Sequence, residues 1–169
     1  TADNQGQEQI SNPFDCALRL MSEQKESRIF DYDALWAGIS GSSANNILNQ
    51  YYVYRMSSDT CSDNSFTINF NNDRHEWINS VTLTLAHLQK TDKPRQFSFE
   101  AWNENENGGE WTRLLNMNNI EWLESEKTKT FYFYNNKAYN QYRFINFGSG
   151  DPNSCKWELG TLDLNLEST

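Results

Sequence analysis

Residues 97–111 read FSFEAWNENENGGEW. Phe97, Phe99 and Ala101 alternate with Ser98 and Glu100, and Gly108-Gly109 interrupts the run before Trp111. A two-residue alternation places every apolar side chain on one face of an extended strand, whereas a helix would repeat every 3.6 residues. The paired glycines supply the positive φ that a tight hairpin demands. Working outward, the same period appears in Phe66, Ile68 and Phe70, in Val81, Leu83 and Leu85, and in Phe131 and Phe133. It appears again in Tyr142 and Phe144, and in Leu162, Leu164 and Leu166. Asn-, Gly- and Asp-rich breaks separate these segments, and none carries a long helical stripe. The pattern predicts antiparallel strands in an all-β sandwich or barrel.

A chain of 169 residues suits one domain. Residues 1–12 are polar and read as a leader, leaving 13–169 as a single domain. Aromatic residues make up 14%, including six Trp, which separates the chain from disordered compositions. A net charge of −9 works against binding nucleic acid or anionic membrane, both of which select basic patches. No apolar run approaches the roughly 20 residues that cross a bilayer, so membrane insertion is not expected.

Catalytic constellations are missing from the pattern. The two histidines, His75 and His87, sit in no HExxH or H-x-E arrangement. Residues 38–42 (GISGS) miss a nucleophile elbow, because Ser42 stands where glycine is required. Nothing marks out two of the 23 acids as a glycosidase pair. The expectation is a protein that is not an enzyme. Asn103, Asn105, Asn107 and Gly108 copy part of the EF-hand spacing, but all three ligands are neutral and Leu114 occupies the twelfth position. That stretch reads as a hairpin loop.

Several motifs together resemble discoidin-like domains, also called coagulation factor type C or galactose-binding-like domains. The stretch 97–111 followed by TRLL matches their strand, turn, Trp and Leu. The runs 129–133 (KTFYF) and 135–144 (NNKAYNQYRF) resemble their "N…Y..YRF" strand pair. SFTINF at 65–70 with 78–85, CALRLM at 16–21 and ISGSS at 39–43 resemble the family's earlier motifs in order. The resemblance implies an eight-stranded antiparallel jelly-roll β-sandwich (galactose-binding domain-like) that binds glycans, and in some members lipids or proteins. It further implies an extracellular or cell-surface setting. The chain has 22 Asn and no N-x-Ser/Thr acceptor, which leaves a cytosolic setting open as well. Many members hold calcium between an acidic residue of the first long loop and a Glu of the last strand. Asn49 and Thr161 stand nearest those positions here, so that site is weakened or removed and no cofactor is expected.

If consecutive strands run antiparallel, the loops before Ser65, from His87 to Gln96, from Asn116 to Lys127 and from Gly148 to Lys156 share one end. The loops 71–77, 103–110 and 135–140 share the other. The first end is richer in aromatic and basic residues, and sugar recognition requires aromatic faces with planar polar side chains. Its candidate contacts are Tyr51, Tyr52, Arg55, His87, Arg95, Trp122 and Asn153. The reading is a lectin-like carbohydrate-binding module that attaches a larger protein or a cell to a glycan or glycoprotein. The alternative is a protein-interaction module of a larger receptor using the same loops. A lipid headgroup reading ranks last, because acids flank its apolar pair Trp122-Leu123. Three cysteines permit one disulfide. The shared end favours Cys61–Cys155, and the family resemblance favours Cys16–Cys155.

Overall fold

The computed structural model describes residues 31–41, 48, 56–58, 63–86, 92–151 and 153–166. The leader expected over 1–12, the CALRLM motif at 16–21 and the positions Asn49, Tyr51, Tyr52, Arg55, Cys61 and His87 lie outside them. In chain order the described strands are β1 (Tyr32–Ala37), β2 (Ser40–Gly41), β3 (Met56–Ser58), β4 (Ser65–Phe70) and β5 (Ile78–Thr84). There follow β6 (Gln96–Asn103), β7 (Glu110–Met117), β8 (Thr128–Tyr132), β9 (Gln141–Gly148), β10 (Trp157–Leu159) and β11 (Thr161–Leu166).

Eight of these strands form two facing antiparallel sheets. One has the order β1-β4-β9-β6-β7 and the other β11-β5-β8; a small third ribbon has the order β10-β3-β2. The chain is an all-β jelly-roll sandwich. Each alternating segment in the sequence lies on a strand or runs just past its end, with Phe66, Ile68, Phe97, Phe99, Phe144 and Leu83 among the fully buried side chains. Phe144 sits at the centre, with ring centroids 4.7 Å from Phe99, 5.9 Å from Phe147 and 6.0 Å from Phe97. Phe97 and Phe99 reach the opposite layer at Phe131 (5.2 Å) and Phe133 (5.5 Å). Burying each such side chain contributes roughly 1.5–3 kcal/mol, so the aromatic seam is the main source of cohesion.

Of the eight strands in the two main sheets, two escaped the alternation. In β1 the inward residues are Tyr32, Ala34 and Trp36, but Leu35 faces outward at 73% exposure and blurs the pattern. In β7 a bulge opposite Phe99/Glu100 breaks the period. A second bulge lies in β9 between Ile145 and Gly148, where Asn146 has φ +59°. Buried Asn64 clamps that bulge: its Nδ2 donates to the Phe147 carbonyl at 2.9 Å, and its Oδ1 accepts the Phe147 N–H at 2.7 Å. An amide side chain that satisfies both backbone groups removes the penalty of burying them unpaired.

Candidate functional site

Antiparallel pairing of consecutive strands puts the loops 92–95, 118–127 and 149–156 at one end of the sandwich. Residues 92–95 are the stitch between them. The Arg95 N–H donates to the Gly148 carbonyl at 2.7 Å, and the Ile120 N–H to the Arg95 carbonyl at 2.9 Å. The Glu158 N–H donates to the Asp92 carbonyl at 2.8 Å. Segments remote in sequence therefore share one rim.

The loop after β9 reads GSGDPNS over 148–154, a run of turn formers. Ser149 donates its hydroxyl to the Ser154 carbonyl, and the Asp151 N–H donates to Ser149 Oγ at 3.2 Å. Asp151 Oδ1 accepts the Asn153 N–H at 2.8 Å, an Asx turn that holds the tip. Gly150 has φ +75°, and a Cβ there would lie 3.2 Å from Arg95 Cβ. Glycine thus lets the loop lie on the Arg95 stem. A depression of about 220 Å³ results, lined by Gln96, Ser149, Gly150, Asp151, Ser154 and Cys155. Its walls offer hydroxyls, a carboxylate and a carboxamide, which suit ligands rich in hydroxyl groups.

Of the predicted contacts, Arg95 and Asn153 lie next to lining residues of this depression without lining it themselves. Arg95 is half-buried, its Nη1 donating to the Ile120 carbonyl at 3.4 Å, and Asn153 is exposed beside Asp151. Trp122 requires a correction. It is only 8% exposed and donates Nε1–H to the Pro94 carbonyl at 2.8 Å, so it props the rim from beneath and presents no open stacking face. With Trp122 buried, the apolar pair invoked for lipid contact reduces to Leu123 alone. Behind it, Glu126 accepts the Leu123 N–H (3.1 Å) and faces Lys129 Nζ (3.1 Å). These two interactions, the backbone one first, hold its carboxyl below the usual Glu range. Tyr51, Tyr52, Arg55 and His87 lie outside the described residues. Gln96, Ser149 and Asp151 were not singled out from the sequence; the carboxylate inside the turn-forming GSGDPNS run was the available signal.

The opposite end is occupied by internal pairing. Arg74 Nε donates to Glu76 Oε2 at 2.7 Å, with its guanidinium 5.4 Å from the Phe70 ring centre. Trp77 donates Nε1–H to the Asn135 carbonyl at 2.7 Å, and buried Tyr142 donates its hydroxyl to the Glu76 carbonyl at 2.6 Å. Burial pushes the Tyr142 phenol well above its ordinary pKa. The EF-hand-like stretch is a hairpin loop: Asn105 Oδ1 accepts the Asn107 N–H at 2.8 Å, and Lys137 Nζ donates to Asn103 Oδ1 at 3.0 Å. Among the described residues no three His, Cys, Asp or Glu converge as metal ligands.

No family model matches the sequence, and no curated protein does either. Solved structures match the fold. A carbohydrate-binding module (CBM32-3) of a family 31 glycoside hydrolase from Clostridium perfringens superposes with TM-score 0.61 at 14% identity. That match covers 86% of this chain and 98% of the other. The family 32 module of C. perfringens NanJ, solved in complex with galactose, gives 0.59 at 13%, covering 79% and 93%. A chitosan-binding module from a Paenibacillus chitosanase/glucanase gives 0.56 at 13%, covering 80% and 95%.

Proposed function

On the galactose-binding-like, or discoidin-like, fold that this chain has, we propose a non-catalytic carbohydrate-binding module whose ligand is held by the loops around Arg95. The observation that carries this reading is the depression walled by Ser149, Asp151 and Gln96, where Gly150 lies against the Arg95 stem. Support comes from its chemistry and from the fold's neighbours, which include one module solved with galactose and one chitosan-binding module derived from a chitosanase/glucanase. Asn153 extends the rim, and Tyr51, Tyr52, Arg55 and His87 remain proposed contacts. Residues 13–169 form the module, and 1–12 its leader. Its setting is extracellular or at the cell surface, where it attaches a larger protein or a cell to glycans. We further propose that Cys155 pairs with Cys61. Peptide mapping without reductant tests that pairing.

Shallow polar sites exchange water hydrogen bonds for sugar hydrogen bonds with little net gain, so affinity for a single sugar is weak and retention depends on multivalency. The test is a glycan array with the purified chain, run with calcium and with chelator. Saturable binding that is indifferent to chelator is expected, and Arg95→Ala should weaken it by about tenfold or more while leaving the fold's circular dichroism unchanged. A folded chain that retains no glycan overturns the reading. Retention on a glycoprotein that free sugar fails to displace would instead identify a polypeptide partner.

A further inference from the structure

The outward face of the five-stranded sheet holds a second polar pocket, built by the two bulges. The β7 bulge brings Arg113 and Asn116, three residues apart, onto the side that pairs with Glu100 and Ser98 of β6. On the other flank of β6, the β9 bulge sets Asn146 in a left-handed conformation. Bulges re-aim side chains, and here two of them border one depression. It measures about 180 Å³ and is lined by Gln96, Ser98, Arg113, Asn116, Asn118 and Asn146 on its polar side, with Phe97 and Met117 as its apolar part. Drug-sized pockets begin at roughly 300 Å³, so this one suits a single monosaccharide unit.

Its electrostatics are unlike the rest of the chain. Glu100 is 6% exposed and shared by two guanidinium groups. Arg143 donates to Oε1 at 2.6 and 2.8 Å, and Arg113 to Oε2 at 2.9 and 3.0 Å. One carboxylate between two guanidinium groups leaves one positive charge over, on a chain of net charge −9. Arg143 is turned away over the Trp111 ring, 4.1 Å from its centre. Arg113 lines the pocket and its side chain is 46% exposed, so Glu100 takes one side of a guanidinium that carries five donors. Ser98 donates to Asn116 Oδ1 at 2.7 Å, which fixes the Asn116 amide with its NH₂ group as donor to a ligand. We propose that this pocket is a second binding site, for a carboxylate-bearing monosaccharide unit such as a hexuronate. Arg113 receives the carboxylate, and the carboxamides of Asn116, Asn118 and Asn146 receive the hydroxyls.

The assignment does not depend on the loop site, although Gln96 forms a wall of both depressions. The test is a two-dimensional NMR titration of the isotope-labelled chain with glucuronate, glucose and acetate in parallel. Glucuronate should shift the Asn116 and Asn118 side-chain amides and the Arg113 Nε–H saturably, with at least about tenfold weaker responses to glucose and to acetate. Asn116→Asp keeps the acceptor for Ser98 and adds a like charge, so it should abolish the glucuronate response without unfolding the chain. Arg95→Ala should leave that response intact. An absence of saturable shifts at these groups overturns the proposal. So does an equal response to glucose or acetate, survival of the response in Asn116→Asp, or its loss in Arg95→Ala.

Discussion

The two outer faces of the sandwich are written in the same alternating code and finished in opposite ways. On the three-stranded sheet the outward positions of β8 and β5 form a hydroxyl ladder, open to water at Thr128 and Thr130 and buried at Ser80. Thr82 and Thr130 lie 2.8 Å apart, Thr84 and Thr128 3.4 Å, and Asn165 Nδ2 donates to both Ser80 Oγ and Thr82 Oγ1 at 3.0 Å. On the five-stranded sheet the outward row runs Leu35, Thr67, Arg143, Glu100, Arg113 across the strands. There Glu100 and Ser98 are buried under long side chains, and Trp102 packs edge-on against Trp111 at 5.2 Å. Water supplies hydrogen bonds to the first face. The second must satisfy its own charges, so removing one partner of a buried pair costs more there.

That contrast is exposed to mutation. The largest effect should come from Glu100→Ala, which strands two guanidinium groups on a half-covered face. Because both arginines keep some solvent, a loss of about 2–3 kcal/mol is expected in urea denaturation, below the full penalty for an opened buried pair. Next is Gly109→Ala at the β6–β7 hairpin. Its φ of +133° is strained for alanine, and the new Cβ would lie 2.7 Å from the Trp102 ring. About 1–2 kcal/mol should be lost, accompanied by a change in tryptophan fluorescence. The smallest is Thr82→Val on the hydroxyl ladder, which keeps β-branching and gives its partners over to water. Its midpoint should stay within about 0.5 kcal/mol of the parent. If Glu100→Ala and Thr82→Val have equal effects, the two faces do not differ as described.

Legibility followed the same division. The strands whose apolar residues alternate in the sequence, β4, β5, β6, β8, β9 and β11, stood out because one of their faces is dry. In β7 the bulge sets Arg113 and Asn116 on one side at odd spacing, and no periodicity rule registers that. Outward Leu35 similarly disguised the edge strand β1. At the loop end, Arg95 was legible as a cation following a strand break, whereas Trp122 was not legible as buried. An aromatic residue in a polar loop reads the same whether its ring faces water or is tucked beneath Pro94. Asp151 went unnoticed because nothing local distinguishes a turn-capping carboxylate from a solvated one.

By itself the sequence determined the layer architecture, since a two-residue period leaves an extended chain one dry face and requires a second sheet to cover it. It determined the hairpin at Gly108-Gly109 for the same local reason, the positive φ that both residues adopt. Only the tertiary structure decided which polar residues are buried, which loops share a rim and where the pockets lie. Those depend on partners tens of residues away, such as Gly148 for Arg95 and Glu100 for Arg143. Local period constrains which side of a strand a residue occupies, and packing alone decides what covers it.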